Sequence, residues 1–171
     1  LIFTKSFEQS NHTPIIHSET VCDKYISFRM PHYGKPLHLW LRDNPDNICK
    51  KYAPRILMEI VIACLYFEKN AFFHSDLKPS NIMIETVLHD PDPEQPNRDI
   101  TDICVRIIDF NSSSVRIIDE HDKVHQWANA IGTWNYCAPE IILNETPYDN
   151  SISWTIGILA AIIIDKYPFC L

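Results

Sequence analysis

The sequence predicts an α+β fold, mainly helical, and three stretches carry that prediction. From about Ile48 to Asn70 apolar residues recur at helical spacing, with Leu57, Ile60, Val61, Cys64 and Leu65 among them. That helix runs into a short polar loop, His74-Ser75-Asp76-Leu77-Lys78-Pro79-Ser80-Asn81, and the apolar run Ile82-Met83-Ile84 follows as a strand. Farther on, Trp154 to Ile164 is an unbroken run of apolar and small residues. It is too short to cross a bilayer and reads as a buried core helix.

The remaining elements follow in chain order. Leu1 to Gln9 has weak helical periodicity, and a polar stretch separates it from Tyr25-Ile26-Ser27-Phe28. Ile26 to Gly34 reads as extended chain ending in a Pro/Gly turn. Lys35 to Arg42, with Leu37, Leu39 and Leu41, reads as a short helix, and Asp43-Asn44-Pro45-Asp46-Asn47 as a turn or helix start. Met58 and Cys64 on the long helix read as core. Leu88 to Asp102 holds three prolines among acidic and polar residues and reads as a surface loop without helix or strand. Ile103 to Ile108 is β-branched and apolar, hence a strand.

Composition sets bounds. The 171 residues, 46% hydrophobic, suffice for one substantial core and argue for one globular unit. A formal charge of −7 gives no support to a nucleic-acid or membrane-surface partner. Six cysteines occur without a C-x-x-C pair, which fits neither a zinc site nor a disulfide framework. A reducing compartment follows, so an intracellular location, cytoplasmic or nuclear, is expected. No charged-then-apolar leader opens the sequence. The glycines are Gly34, Gly132 and Gly157, so a phosphate-binding G-x-G-x-x-G cannot be built from these residues.

The polar loop carries the chemistry. It offers a carboxylate, an ammonium and an amide between a buried helix and a strand. Phosphoryl transfer uses such a set: a carboxylate to accept a hydroxyl proton, a cation near the phosphate, and an amide oxygen on Mg2+.

His74 to Asn81 resembles the catalytic loop of eukaryotic protein kinases, H-R-D-x-K-x-x-N. Two further motifs follow in the order that family uses. Asp109-Phe110-Asn111 resembles D-F-G, with Asn in the third place, where its tolerance of positive φ makes it the least damaging replacement. Gly132-Thr133-Trp134-Asn135-Tyr136-Cys137-Ala138-Pro139-Glu140 resembles GTxxYxAPE, the serine/threonine form of the segment's end. Trp154, Thr155 and Gly157 match W-[ST]-x-G, and Pro168-Phe169 the family's "PF".

The resemblance implies a protein-kinase-like fold over residues 1–171. Residues 1–34 would be the end of a small lobe and its hinge, and 35–171 a large lobe cut after its central helix. Asp76 would be the catalytic base, Lys78 would steady the γ-phosphate, and Thr133 would hold both by hydrogen bonds. Asn81 and Asp109 would hold Mg2+. Phe28, Arg29 and Met30 would meet the adenine edge of ATP, and Met83 would lie beneath it. The implied partner is a protein substrate with a serine or threonine hydroxyl.

The sequence departs from the family pattern at named places. Ser75 stands for the Arg of H-R-D, so ordering by a phosphate on the following segment is not expected by that route. Ile152 stands where an Asp usually braces the catalytic loop. Ser75, the 88–102 insertion and Asp119-Glu120-His121 resemble the LAMMER/dual-specificity branch. The Gly-rich loop and the phosphate-gripping lysine have no counterpart here. The 171 residues alone are therefore expected to be nearly inert. Two readings stay open: an active serine/threonine kinase, or a pseudokinase or kinase fragment serving as a nucleotide-binding or interaction scaffold.

Overall fold

The computed structural model describes residues 13, 18–21, 26–88, 100–118, 124–127, 132–143 and 151–165. The readings of Leu1 to Gln9, of most of the 88–102 insertion, of Asp119-Glu120-His121 and of Pro168-Phe169 lie outside them.

Two strands, β1 (Ser18–Val21) and β2 (Ile26–Arg29), pair antiparallel with Val21 opposite Ile26. Residues 30–34 then lead into β3 (Lys35–Pro36), a two-residue strand lying against β5 (Ile82–Leu88). Gly34 makes that approach possible. Its φ is +80°, and a Cβ there would stand 2.2 Å from the Ile84 carbonyl oxygen. The expected helix therefore starts later than its leucines suggest, as α1 (Leu37–Asp43), because Lys35 and Pro36 are held in the sheet.

Helix α2 (Asp46–Lys69) is the spine of the core. Asp46 in its first turn and Lys69 in its last complement the helix dipole. Its buried face runs Cys49, Tyr52, Ala53, Ile56, Ile60, Ala63, Cys64 and Phe67, a repeat of three and four residues. Ile56, Ile60 and Phe67 are fully enclosed, and each such burial stabilises by about 1.5–3 kcal/mol. The apolar stripe thus sits rotated from the one read in sequence. Leu65 is 58% exposed and Met58 45%, so Met58 is not core, whereas Cys64 is. Both exposed residues fall outside the face that meets β6 (Ile100–Ile107) and α4 (Ser151–Asp165).

After α2 come β4 (Phe72–Phe73), the polar loop, a 3-10 turn at Pro79–Asn81, and then β5 and β6. The last two form a long antiparallel hairpin from Ile82↔Ile107 to Leu88↔Ile100, with an irregularity between Val87 and Leu88. This corrects the reading of 88–102 as strand-free: Leu88 and Ile100 to Asp102 belong to strands. The Tyr52 hydroxyl donates to the Ile100 carbonyl, and Ile100 and Ile103 are buried with α2. Backbone pairing and that anchor carry the ladder past the β-branched core.

Strand β7 (Ser114–Ile118) sits between β4 and β8 (Val124–Trp127), with Phe73 opposite Ser114. A short helix, α3 (Pro139–Ile142), precedes α4. Helix α4 is not the enclosed helix its composition suggests. Only Leu159 and Ile163 are buried, where α4 packs on α2, while Trp154 is 49% exposed and Ile164 48%. Hydropathy is high all round this helix, but its described neighbours, α2 and the 133–140 segment, cover only part of it. No helix among the described residues is long and apolar enough to cross a membrane.

Candidate active site

The polar loop is fixed before any charged group enters. Ala71, at φ 54°, turns the chain out of α2. Phe67, Phe72 and Phe110 then stack at 5.6–5.7 Å between ring centroids, and His74 lies 4.9 Å from Phe110. Phe110 therefore seats the end of the β6 strand on the end of α2.

His74 adds the polar half of that junction. Its Nδ1 accepts the Asp76 backbone N–H at 3.3 Å, so the ring proton resides on Nε2 and is donated to the Ile108 carbonyl at 2.9 Å. Burial lowers the imidazole's proton affinity, outweighing the Ile108 bond and the Asp76 and Asp109 carboxylates, which raise it. A neutral His74 thus ties the loop to the residue before Asp109.

Asp76, Lys78 and Thr133 form a closed triangle. The Lys78 ammonium donates to Asp76 Oδ2 at 2.8 Å and to the Thr133 hydroxyl at 2.9 Å. That hydroxyl donates to Asp76 Oδ1 at 2.7 Å, and the Thr133 N–H donates to the same oxygen at 2.8 Å. The Asp76 side chain is 12% exposed and that of Lys78 25%. Burial pushes the Asp76 carboxyl up, but the Lys78 ammonium and the two Thr133 donors outweigh it and hold it below the usual carboxylate value.

Asn81 joins from the 3-10 turn. Its amide nitrogen donates to the Asp76 carbonyl at 2.9 Å and reaches Asp76 Oδ2 at 3.4 Å. The Asn81 carbonyl accepts the Ile108 N–H at 2.9 Å, which sets Asp109 one residue beyond a strand pinned to the loop. Asp109 is exposed and sits in the left-handed region at φ 64° and ψ 71°. Positive φ therefore falls on the Asp of the triplet and not on Asn111, which lies in a 3-10 turn. Asp tolerates that region almost as well as Asn, because its short side chain bonds locally.

The trailing segment docks through Gly132. A Cβ there would stand 2.1 Å from the Ser75 carbonyl oxygen, so only glycine lets Thr133 reach Asp76. Behind it the Ser151 hydroxyl donates to Glu140 at 2.7 Å and the Thr155 hydroxyl to the Tyr136 carbonyl at 2.9 Å. These bonds seat the 133–140 segment on α4.

Of the residues singled out in sequence, Asp76, Lys78, Thr133 and Asn81 meet in one hydrogen-bonded cluster, and Asp109 borders it. Met83 is half-buried on β5, opposite Pro36 and Arg106. Phe28 and Arg29 end β2; Arg29 and Met30 are exposed. No hydrogen bond links Arg29 or Met30 to the cluster among the described residues. Ile152 packs against the apolar core and braces nothing polar. Sequence reasoning gave His74 no task beyond its place in the loop motif; its bonds to the Ile108 carbonyl and the Asp76 N–H appear only in the structure.

The donor set suits a hard divalent cation. Asn81 spends its amide nitrogen on Asp76, which turns Oδ1 to other duty, and Asp109 contributes a carboxylate. Among the described residues no group of three or more His, Cys, Asp or Glu could hold a metal. One amide oxygen and one carboxylate fit Mg2+, which uses few protein ligands beside phosphates and water.

A family model described as a protein kinase domain matches residues 4–171. Calcium-dependent protein kinase 4 of Plasmodium falciparum is 29% identical over 68% of this chain and 19% of its own length. Cyclin-dependent kinase F-4 of rice, Oryza sativa subsp. japonica, is 22% identical over 96% of this chain and 32% of its own. The chain thus spans less than a third of either relative. A chain of the yeast RNA Pol II CTD kinase complex superposes with a TM-score of 0.69 at 18% identity. The superposition covers 97% of this chain and 48% of that one and shows a shared fold.

Proposed function

The chain belongs to the protein kinase domain family, and from that premise we propose that it serves ATP-dependent phosphoryl transfer to serine or threonine hydroxyls of a protein substrate. The observation that carries this reading is the Asp76–Lys78–Thr133 triangle with Asn81 bonded into it.

Asp76 is held ionised and aimed, as an acceptor for a hydroxyl proton must be. Its Oδ2 accepts Lys78 at 2.8 Å and Asn81 at 3.4 Å, while both Thr133 donors fall on Oδ1. Lys78 offers an ammonium beside that oxygen, where it steadies charge on a transferring phosphate. Asn81 and Asp109 would hold Mg2+, which when bound supplies charge neutralisation to the phosphates. Phe28, Arg29 and Met30 would face the adenine edge and Met83 its plane. The lysine in the loop and the Gly132-Thr133 pair favour serine/threonine over tyrosine. An intracellular setting fits the free thiols of Cys49, Cys64, Cys104 and Cys137.

A second reading, a nucleotide-binding or interaction scaffold, is favoured by Ile152, which leaves the loop without its usual acidic brace.

The deciding experiment takes the product of the complete coding sequence with Mg-ATP and a serine/threonine peptide library. Transfer that disappears in Asp76→Asn, with nucleotide binding retained, supports the enzyme. Nucleotide binding without transfer, unchanged by Asp76→Asn, would leave the scaffold.

A further inference from the structure

Ser75 combines three observations that the chemistry above does not use. Its φ is 62°, a left-handed conformation that a non-glycine residue keeps only when its surroundings impose it. Its hydroxyl lies 3.2 Å from the hydroxyl of Ser114, which is 2% exposed at the start of β7. Its carbonyl oxygen is the atom against which Gly132 is pressed. One residue later Asp76 receives both Thr133 donors.

The segment that leaves at Ser114 and returns at Gly132 is therefore gripped at both ends by one peptide unit. The leading grip is neutral. Ser75 meets Ser114 hydroxyl to hydroxyl, and the adjacent Ser113 hydroxyl donates to the His74 carbonyl at 3.4 Å. Phe73↔Ser114 pairing brings the two chains together, but the backbone ladder of β4 ends there. The Ser75–Ser114 bond, with the Ser113–His74 bond beside it, continues the attachment into the loop.

We propose that Ser75 and Ser114 are positioning residues, whose hydroxyl pair fixes the left-handed Ser75 peptide and thereby holds Asp76 against Thr133. The inference rests on the kinase reading for its consequence, since Asp76 and Thr133 are the groups it aligns. Its geometry stands without that reading. In this arrangement the 114–133 segment is docked at its leading end without a phosphate or any other charged group on Ser75 or Ser114.

The test uses the complete protein and needs no activity. Ser75→Ala, Ser75→Gly, Ser114→Ala and Ser75→Asn are compared by amide exchange at Thr133 and by carbon NMR titration of the Asp76 carboxyl. Ser75→Ala and Ser114→Ala should each speed Thr133 exchange about tenfold and move the Asp76 titration up toward 3.8, its ordinary value. Ser75→Gly relieves the backbone but lacks the hydroxyl, so it should behave like Ser75→Ala. Ser75→Asn tolerates the left-handed region and keeps a polar side chain, so it should restore part of the protection.

A Ser75→Gly chain with unaltered exchange and titration would overturn the proposal, because backbone permissiveness alone would then explain Ser75. Alanine variants that lower Tm while leaving the Asp76 titration in place would overturn it too, marking a structural role only. A complete protein that transfers no phosphate would sink the kinase reading and leave these two measurements as readable as before.

Discussion

Thr133 donates twice to one oxygen of Asp76, from its N–H at 2.8 Å and its hydroxyl at 2.7 Å, across 57 residues of chain. Its hydroxyl also accepts from Lys78, so a single side chain closes a ring of acid, base and alcohol. Asp76 is thus oriented from outside its own loop.

Replacing Thr133 by Val keeps the volume and the N–H but deletes both hydroxyl bonds. Each such bond contributes about 0.5–1.5 kcal/mol net, somewhat more where a charged partner is involved. We expect urea unfolding to show a loss of about 1–3 kcal/mol. On the proposed kinase function, phosphoryl transfer by the complete protein should fall about 10–100-fold while the KM for nucleotide changes little.

The lowered affinity of Asp76 for protons sets an acid limb. Its native value lies below 3.8, so its contribution to stability is present above that value and is lost as pH falls through the native one. Asp76→Asn should flatten the stability curve below about pH 4. On the proposed kinase function, transfer by the complete protein should not decline through Asp76 protonation anywhere near neutrality. A proton uptake by Asp76 seen at pH 5 or above would contradict the triangle.

His74 acts in a different window. Burial depresses its native value below 6.5, so the unfolded chain binds the extra proton and stability drops as pH falls from about 6.5 through that native value. The slope for one proton reaches about 1.4 kcal/mol per pH unit. His74→Phe should keep the ring contact with Phe110 and lower stability at every pH. The decline between pH 7 and 5 should be shallower than in the parent chain, as thermal melts across that range would show.

Gly34 and Gly132 are predicted to resist alanine for different reasons. Gly34→Ala meets both a positive φ and the Ile84 carbonyl, and should destabilise by more than about 2 kcal/mol. Gly132→Ala meets no positive φ, but its Cβ would stand 2.1 Å from the Ser75 carbonyl oxygen and 3.3 Å from the Asp76 Cα, contacts that an outward shift of the 132–133 segment can relieve. The second variant should fold with smaller loss but release Thr133 from Asp76, visible as faster exchange at the Thr133 amide.

The anchor of the long hairpin can be cut separately. Tyr52→Phe removes the donor to the Ile100 carbonyl and should cost about 1–2 kcal/mol. The loss should appear as faster exchange at the Leu88/Ile100 end of the hairpin, leaving the Ile82/Ile107 end protected.

By itself the sequence determined the order and the kinds of chemistry. Local spacing put Asp76, Lys78 and Asn81 on one loop, because a loop between a buried helix and a strand has few ways to turn. The same local pattern found the long helix and the strand at Ile82, and the resemblance to the kinase family picked out the triplet at Asp109. Only the tertiary structure decided which faces are covered. The stripe of α2 turned so that Met58 and Leu65 point outward, and α4 kept Trp154 and Ile164 exposed. Hydropathy states what a side chain prefers; its neighbours decide what it meets. Tertiary structure also placed the positive φ on Asp109 rather than Asn111, and extended the β5–β6 ladder to Leu88 and Ile100. The contacts that aim Asp76 join residues far apart in sequence: Thr133, Gly132 and, through Ser75, Ser114. No local pattern encodes such distances, because they arise only when two segments are packed against the same helix end.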